Sequence, residues 1–439
     1  MKPPLRLLYL TYQENILASG ILHTQVVRML ECMHKCNQTA NIALLSFMSP
    51  QLLWRERKGF RILKKRLTDS NIKLITLPML IPASWKWTAH VFISLWTLPV
   101  IFLALIYRIN IIHPRGYAAG AIGLIASGLL RIPMLFDPRG PYPEETVMNG
   151  IWKKNDATFN FVKRIEERLI QKANAVIGVT VEYRDEFKKR GAKLAFFIPN
   201  RADTKRFREA YEAYWASSTT EFNPSPQIDP LPKTVTPDNP LPQIDPLRQV
   251  LTPDATCELL FTGELHAVWN DPGLVARHFN SLSKLYPNAR LRLITHANTK
   301  QALKILQEHG IDSTQVKFQS GTPEQMPSLL QGATLGLTFL IGDKLSIWPV
   351  KIAEYIAAGI PLIVDPSIVG LPKEIIIKYK LGFVADPERI EDYSIIEDIL
   401  RNRQEWSDRC ISYAKRRLDI SSTSKQHLRI YRRLIARPQ

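Results

Sequence analysis

The chain has 439 residues, 45% of them apolar and 22% charged, an ordinary globular composition with length for two domains that each have a core. Lys and Arg outnumber Asp and Glu by 58 to 40, and the formal charge of +18 suits polyanionic partners such as nucleotide diphosphates, anionic lipid headgroups or nucleic acid. Four cysteines exclude a disulfide scaffold, and the absence of a recognised nucleic-acid module or aromatic stacking platform ranks nucleic acid last among those partners.

Residues 5–12 read as a buried first strand. The run is too short for the apolar core of a signal peptide and no small-residue cleavage site follows, which points to a reducing, cytoplasmic setting. Ser19 and Gly20 then precede a helical pattern through Leu22, Val26, Val27 and Leu30. A strand followed by a helix opens a doubly wound fold, and the loop carrying Gly20 is where ligands approach. Cys32 and Cys36 lie one helical turn apart, but His34 points to another face, so the pair is read as structural and no metal is assigned. Residues 55–66 interleave cations with apolar residues at helical spacing, which fits either a solvated face or a membrane-surface face.

Apolar, β-rich runs at 41–47, 72–77, 109–113, 133–136, 175–179 and 195–198 alternate with helical patterns, the signature of a parallel sheet covered on both faces. Residues 90–107 carry no formal charge and approach the length of a short membrane span. The strands on either side belong to one sheet, however, and Pro99 interrupts the run. A buried or interfacial helix is therefore predicted, with Trp85, Trp87 and Trp96 suited to a headgroup region.

Residues 221–256 are Pro-rich, and 226–238 are nearly repeated as 242–254. Such proline density removes backbone donors and predicts an extended linker; two copies are too few for a solenoid. A second strand–helix series starts at residue 257, and basic terminal helices close the chain. The expected organisation is an N-terminal acceptor domain (1–208), a Pro-rich insertion (209–256), a C-terminal donor domain (257–405) and returning helices (406–439).

Within the second series, Ser346-Ile-Trp-Pro-Val-Lys-Ile-Ala-Glu-Tyr-Ile-Ala-Ala-Gly359 reads as a loop, a helix with Pro349 near its start and a glycine stop. Lys351 and Glu354 share a face close to the positive end of that helix, where an anion and a diol could be held together. The plain alternative is an amphipathic helix with solvated charges. The pattern resembles the nucleotide-sugar motif of family-4-type retaining glycosyltransferases of the GT-B fold. Phe136-Asp-Pro-Arg-Gly-Pro-Tyr-Pro-Glu-Glu145, Ile198-Pro-Asn-Arg-Ala-Asp203 with Phe207, and Thr262-Gly-Glu-Leu-His-Ala-Val-Trp269 extend the resemblance in the order expected of that family.

The resemblance implies an α/β GT-B architecture, two Rossmann-like doubly wound domains facing across a cleft. It implies that Glu354 binds ribose hydroxyls, that Lys351 meets the diphosphate, and that Gly263 lets the diphosphate approach the backbone. His113, after a strand, would contact the donor sugar or the acceptor, with a structural hydrogen bond as its alternative. Arg115 would contact an anion, and Asp137 and Arg139 form the next pair, for which a buried ion pair is the alternative. The sequence departs from the family in three places. Ser346 stands where the family has a glutamate that contacts the transferred sugar, no Lys-Gly pair follows Gly263, and Arg201 replaces a glycine. Lys351 or Arg139 would then supply the missing cation. The implied activity is transfer from a UDP- or GDP-sugar to a lipid-linked or polysaccharide acceptor hydroxyl, with retention and with no metal or cofactor, at a cytoplasmic membrane face. The competing readings are a degenerate GT-B domain that binds nucleotide or a partner without turnover, and a basic peripheral membrane scaffold.

Overall fold

The computed structural model describes residues 4–17, 22–38, 40–79, 89–218, 257–265, 270–296, 298–339, 349–368 and 370–436. Gly20, Trp85, Trp87, Ser346, residues 266–269 and the Pro-rich segment 221–256 lie outside them.

The first strand, β1 (Arg6–Tyr12), has Leu7, Leu8 and Leu10 wholly buried, so both of its faces are covered. Apolar side chains on both faces suit a parallel strand between two helical layers. Parallel pairing with β2 (Asn41–Met48), β3 (Ile72–Pro78) and β4 (Ile111–Pro114) gives the order β3-β2-β1-β4. A second parallel group, β5 (Leu135–Phe136), β6 (Ala175–Gly178) and β7 (Ala195–Phe197), continues this surface through single bridges Ile112–Met134 and Arg115–Asp137. The later sheet contains β8 (Glu258–Thr262), β9 (Arg290–Ile294), β10 (Val316–Gln319), β11 (Leu335–Thr338), β12 (Leu362–Val364) and β13 (Gly382–Val384). Its order β10-β9-β8-β11-β12-β13 is all parallel, and reverses beside β8 and β11, where a doubly wound sheet opens its ligand crevice.

Helix α1 (Met29–Cys36) packs on the first sheet and faces α2 (Arg57–Asp69). In α2, Phe60, Leu63 and Leu67 turn inward while Arg57, Lys58, Arg61, Lys64 and Lys65 are exposed. Arg66 is drawn in by Glu31 of α1 at 2.7 Å, and also reaches Glu324 of the second half at 3.1 Å. His23 meets the same Glu324 oxygen at 2.6 Å, so one carboxylate ties the two halves together. The thiol of Cys32 is pushed up to about 12, chiefly by burial, which suits an inert core residue. Among the described residues, no group of three His, Cys, Asp or Glu side chains is arranged to hold a metal.

The uncharged run forms α3 (Ala89–Ile106), which packs on α4 (Tyr117–Leu130). Trp96, Val100 and Ala104 face the sheet, whereas Leu95, Leu98, Phe102 and Leu105 are exposed. No helix among the described residues is long and apolar enough to cross a membrane. A short helix, α5 (Tyr142–Met148), follows β5.

In the second half, α6 (Val350–Ala357) begins immediately after Pro349. Its Tyr355 is wholly buried against β11, and the hydroxyl accepts from the Thr262 backbone N–H at 2.7 Å while donating to Thr262 Oγ1 at 3.0 Å. The last helix, α7 (Ile420–Ile435), returns to the first half, where Leu428, Ile430, Tyr431 and Leu434 join the core of Leu7 and Tyr9. The crossing is secured by Ile420 N–H donating to Ala202 O at 2.9 Å and by Ser424 Oγ donating to Met29 O at 2.7 Å.

Gly336 is required by this packing, because a Cβ there would overlap the Tyr355 ring. Gly336→Ala is expected to cost ~1–3 kcal/mol and to lower the urea midpoint with little change in slope. An unchanged midpoint would show that Tyr355 can move aside freely.

Candidate functional site

At the carboxyl end of β8 the chain turns through Gly263, whose φ of +121° is a conformation that favours glycine. A side chain at Gly263 would start 3.7 Å from Lys351 Nζ. The loop glycine and the lysine near the start of α6 are therefore neighbours, as the sequence pattern implied. Tyr355 sets that proximity by fastening α6 to the last residue of β8.

The Lys351 ammonium lies 3.9 Å from the centroid of the Phe261 ring, and Phe339 stacks on Phe261 at 5.4 Å. Ring faces attract the cation but do not replace its lost hydration. Burial pulls the amine down to about 7, against the opposing influence of Glu354. Burial likewise pushes Glu354 up to about 7, and Lys351 only partly offsets it. Neither side chain forms a hydrogen bond or salt bridge among the described residues. Two half-buried groups of opposite sign, without a hydrogen-bond or ion-pair partner among the described residues, stand together at this sheet edge.

The N-terminal residues gather at the equivalent edge of the first sheet. Arg115 follows β4 and pairs with Glu14, which follows β1, at 3.0 Å, and with Asp137 at 3.5 Å. Arg139 lies 3.8 Å from the same Asp137 carboxylate and donates to Asn200 Oδ1 at 3.2 Å. Asp137 thus acts as the common counter-charge of both arginines. The ion-pair reading of Asp137 and Arg139 describes these contacts, while Arg115 Nη1, 3.5 Å from Asp137, is buried without a hydrogen-bond partner.

His113 requires a correction. It is wholly buried at the end of β4, with Nδ1 2.6 Å from the Tyr431 hydroxyl, and it stacks on His427 at 5.4 Å. Burial holds its pKa well below the ordinary histidine range, so the ring is neutral. Its Nδ1 contact serves the docking of α7, as in the structural alternative, while Nε2 is buried without a hydrogen-bond partner among the described residues. Arg201 is also explained: it is absent from the positive-φ residues, so this turn needs no glycine, and its carbonyl accepts from Gln25 at 2.6 Å. Gly20 and Ser346 lie outside the described residues.

A cavity of about 470 Å³ opens beside Arg115 and Arg139, walled by Tyr12, Glu14, Tyr142 and Glu145. Tyr12 and Glu14 are wall residues to which the sequence did not point. Their only local signal was position immediately around a strand end.

Replacing the Lys351 amine should relieve the cost of enclosing a charge. In the unfolded chain the amine titrates near 10.4, whereas folding depresses it. The penalty is therefore largest below about pH 7 and fades as pH rises toward 10. Lys351→Met is expected to gain ~1 kcal/mol at pH 6, with the advantage shrinking by pH 9 in thermal melts. A loss of stability at pH 6 would mean that the amine is anchored rather than strained.

Residues 249–417 match the family described as glycosyl transferases group 1. No curated protein matches. Among solved structures, HepE of Anabaena, in complex with UDP and glucose, is 13% identical with a TM-score of 0.59, covering 97% of this chain and 98% of that one. Sucrose-phosphate synthase of Thermosynechococcus elongatus is 12% identical with a TM-score of 0.64, covering 98% and 99%. A glycosyltransferase of Rickettsia africae is 13% identical with a TM-score of 0.62, covering 99% of each chain. These likenesses span nearly the whole chain and show that the architecture is GT-B, two Rossmann-like halves facing across a cleft.

Proposed function

We propose that this protein transfers a sugar from a nucleotide diphosphate donor to an acceptor hydroxyl, and that the Gly263–Lys351–Glu354 group is its donor site. The observation carrying the reading is the half-buried Lys351 amine, without an ion-pair partner among the described residues, beside the backbone at Gly263. A diphosphate lying against Gly263 would return to the ammonium the countercharge that burial denies it. Ribose hydroxyls would donate to the Glu354 carboxylate a turn further along α6. UDP is the preferred nucleotide over GDP, supported by the UDP complex of the Anabaena relative.

In the reaction the acceptor hydroxyl oxygen bonds to the anomeric carbon as the bond from that carbon to the diphosphate oxygen breaks. The hydroxyl proton leaves with the diphosphate. Lys351, the N-terminus of α6 and Arg139 from the opposite half stabilise the departing charge and do the work a metal would otherwise do. Retention places the incoming oxygen on the face the diphosphate leaves. The acceptor is lipid-linked or a polysaccharide.

An anionic membrane surface is the partner that suits the outer face of α3 and α4. There Leu95, Leu98, Phe102, Leu105 and Leu129 are each about half exposed or more, which is unusual for a solvent face. No Asp or Glu occurs from residue 70 to residue 136, while Arg108 and Arg131 stand exposed just beyond the ends of the two helices. Apolar side chains with cations at their margin match an acidic bilayer interface. This arrangement supports work at a cytoplasmic membrane face.

UDP, GDP and their glucose conjugates are expected to raise the melting temperature of the native protein. Glu354→Ala and Lys351→Ala are expected to remove that shift and to lower donor hydrolysis by ~10²-fold or more. A shift without any hydrolysis or transfer would favour a nucleotide-binding domain without turnover, and no shift with any nucleotide would remove the donor site.

Vesicles containing phosphatidylglycerol are expected to co-float the protein, whereas pure phosphatidylcholine vesicles should do so weakly. The double variant Leu98→Glu with Phe102→Glu should stay in solution while retaining its nucleotide shift. Equal flotation of the variant would refute this membrane face.

A further inference from the structure

The polypeptide passes between the two halves twice at one place. Ala202 N–H donates to Leu418 O at 3.0 Å and Ile420 N–H to Ala202 O at 2.9 Å, so the outgoing and returning segments lie bonded side by side. Next to this double crossing is a cavity of about 300 Å³, at the lower end of the range for small-molecule sites. Four separate segments wall it: the first turns of the helix Thr204–Ser218, the end of α6 at Ala357, Ile411 with Lys415, and Asp419 at the start of α7.

The walls are cationic on balance. Lys205, Arg208 and Lys415 stand against one carboxylate, that of Asp419. Both oxygens of this carboxylate are already engaged: one accepts from Thr204 Oγ1, the other from the Ser421 hydroxyl and from the Ser421 N–H at 2.9 Å. Asp419 thereby caps α7 and is held for the crossing.

The cations are less occupied. Lys415 has no hydrogen-bond or ion-pair partner among the described residues. It belongs to a π-helical turn, Ala414–Leu418, with Arg416 and Arg417 exposed beside it. Such turns are rare and concentrate at functional sites. Lys205 and Arg208 meet Glu209 and Glu212 one turn along their own helix, at 3.6 and 3.5 Å. Both glutamates are exposed, and surface pairs of this kind contribute little.

Arg208 Nε is nevertheless buried without a hydrogen-bond partner among the described residues, and so is Nε of Arg201, one residue before the crossing. Burial lowers the Arg201 pKa against the pull of Asp419, and its Nη2 reaches Gln426 only at 3.4 Å. Buried donors that make no hydrogen bond are costly and call for an explanation. Two of them at the crossing, with a free lysine on the cavity wall, point to a compact anion rich in acceptors.

A phosphate has oxygens enough to accept from an arginine and two lysines at once, which a single carboxylate does not. Ala357 and Ile411 give the same cavity an apolar side for a short uncharged remainder. We propose that this cavity is a second anion site, binding a phosphate group, free or as the monoester of a small molecule, with Arg208 and Lys415 as its main grips. The site lies at the end of α6 away from Lys351, and its occupancy does not depend on the donor reading.

The test is isothermal titration calorimetry of the full chain with inorganic phosphate and with glycerol 3-phosphate, at constant ionic strength set with sodium chloride. The proteins compared are the native chain, Lys351→Ala, and the double variant Arg208→Gln with Lys415→Gln, with circular-dichroism melts reporting folding. At least one ligand should bind saturably to the native chain and to Lys351→Ala alike, and about tenfold or more weakly to the double variant. Should the double variant fail to fold, the exposed Lys415→Gln alone should still weaken binding by about threefold or more. Tighter binding of glycerol 3-phosphate would identify a monoester as the ligand class, and tighter binding of inorganic phosphate the free ion. Binding lost in Lys351→Ala but kept in the double variant would put the anion at the donor group and overturn this site. So would the absence of saturable binding by either ligand. Phosphate binding that needs Arg208 and Lys415 in a protein that ignores UDP would support this site while removing the donor reading.

Discussion

The attachment of Tyr355 to Thr262 is the constraint on which the candidate donor site rests. One phenol satisfies the last backbone donor of β8 and the threonine hydroxyl beside it, and so fixes where α6 begins relative to the loop after that strand. Without that fastening, Lys351 would be a lysine on a helix, free to extend into water. With it, the side chain is directed over Phe261 toward the backbone of Gly263, and desolvation alters its chemistry. A buried ring beneath α6 thereby fixes where Lys351 stands relative to Gly263.

The first half reaches a preorganised edge by a different route. Asp137 draws two arginines from separate loops onto one carboxylate, and Glu14 completes the set from a third. Buried ion pairs of this kind contribute little net stability once desolvation is counted, yet breaking one partner is costly, so they define geometry more than they add energy. The returning helix α7 closes the same sheet through Tyr431 and His113, a contact between residues far apart in the chain. The two ends of the polypeptide are thus built into one core, and the Glu324 contacts with His23 and Arg66 add a second tie between the halves.

Much of the fold was legible because its physics is local. Predominantly apolar runs such as residues 5–12, bounded within a strand's length, favour a strand covered on both sides. The glycine stop and proline start around α6 are likewise set within a few residues. Lys351 and Glu354 could be placed on one face by helical geometry, and Gly263 at a strand end by its neighbours. What sequence could not supply was the third dimension of each loop. His113 and Arg115 are two residues apart on one strand end, yet one is sealed beneath α7 and the other lines a cavity. Glu145 acquires its environment from Gly140 and from burial, neither of which a linear pattern encodes.

The two edges differ in how they handle charge. The Lys351–Glu354 edge holds an amine and a carboxyl with no hydrogen-bond or ion-pair partner among the described residues, a costly arrangement for buried charge. The facing edge pairs its arginines with its own carboxylates and leaves Arg115 Nη1 without a hydrogen-bond partner among the described residues.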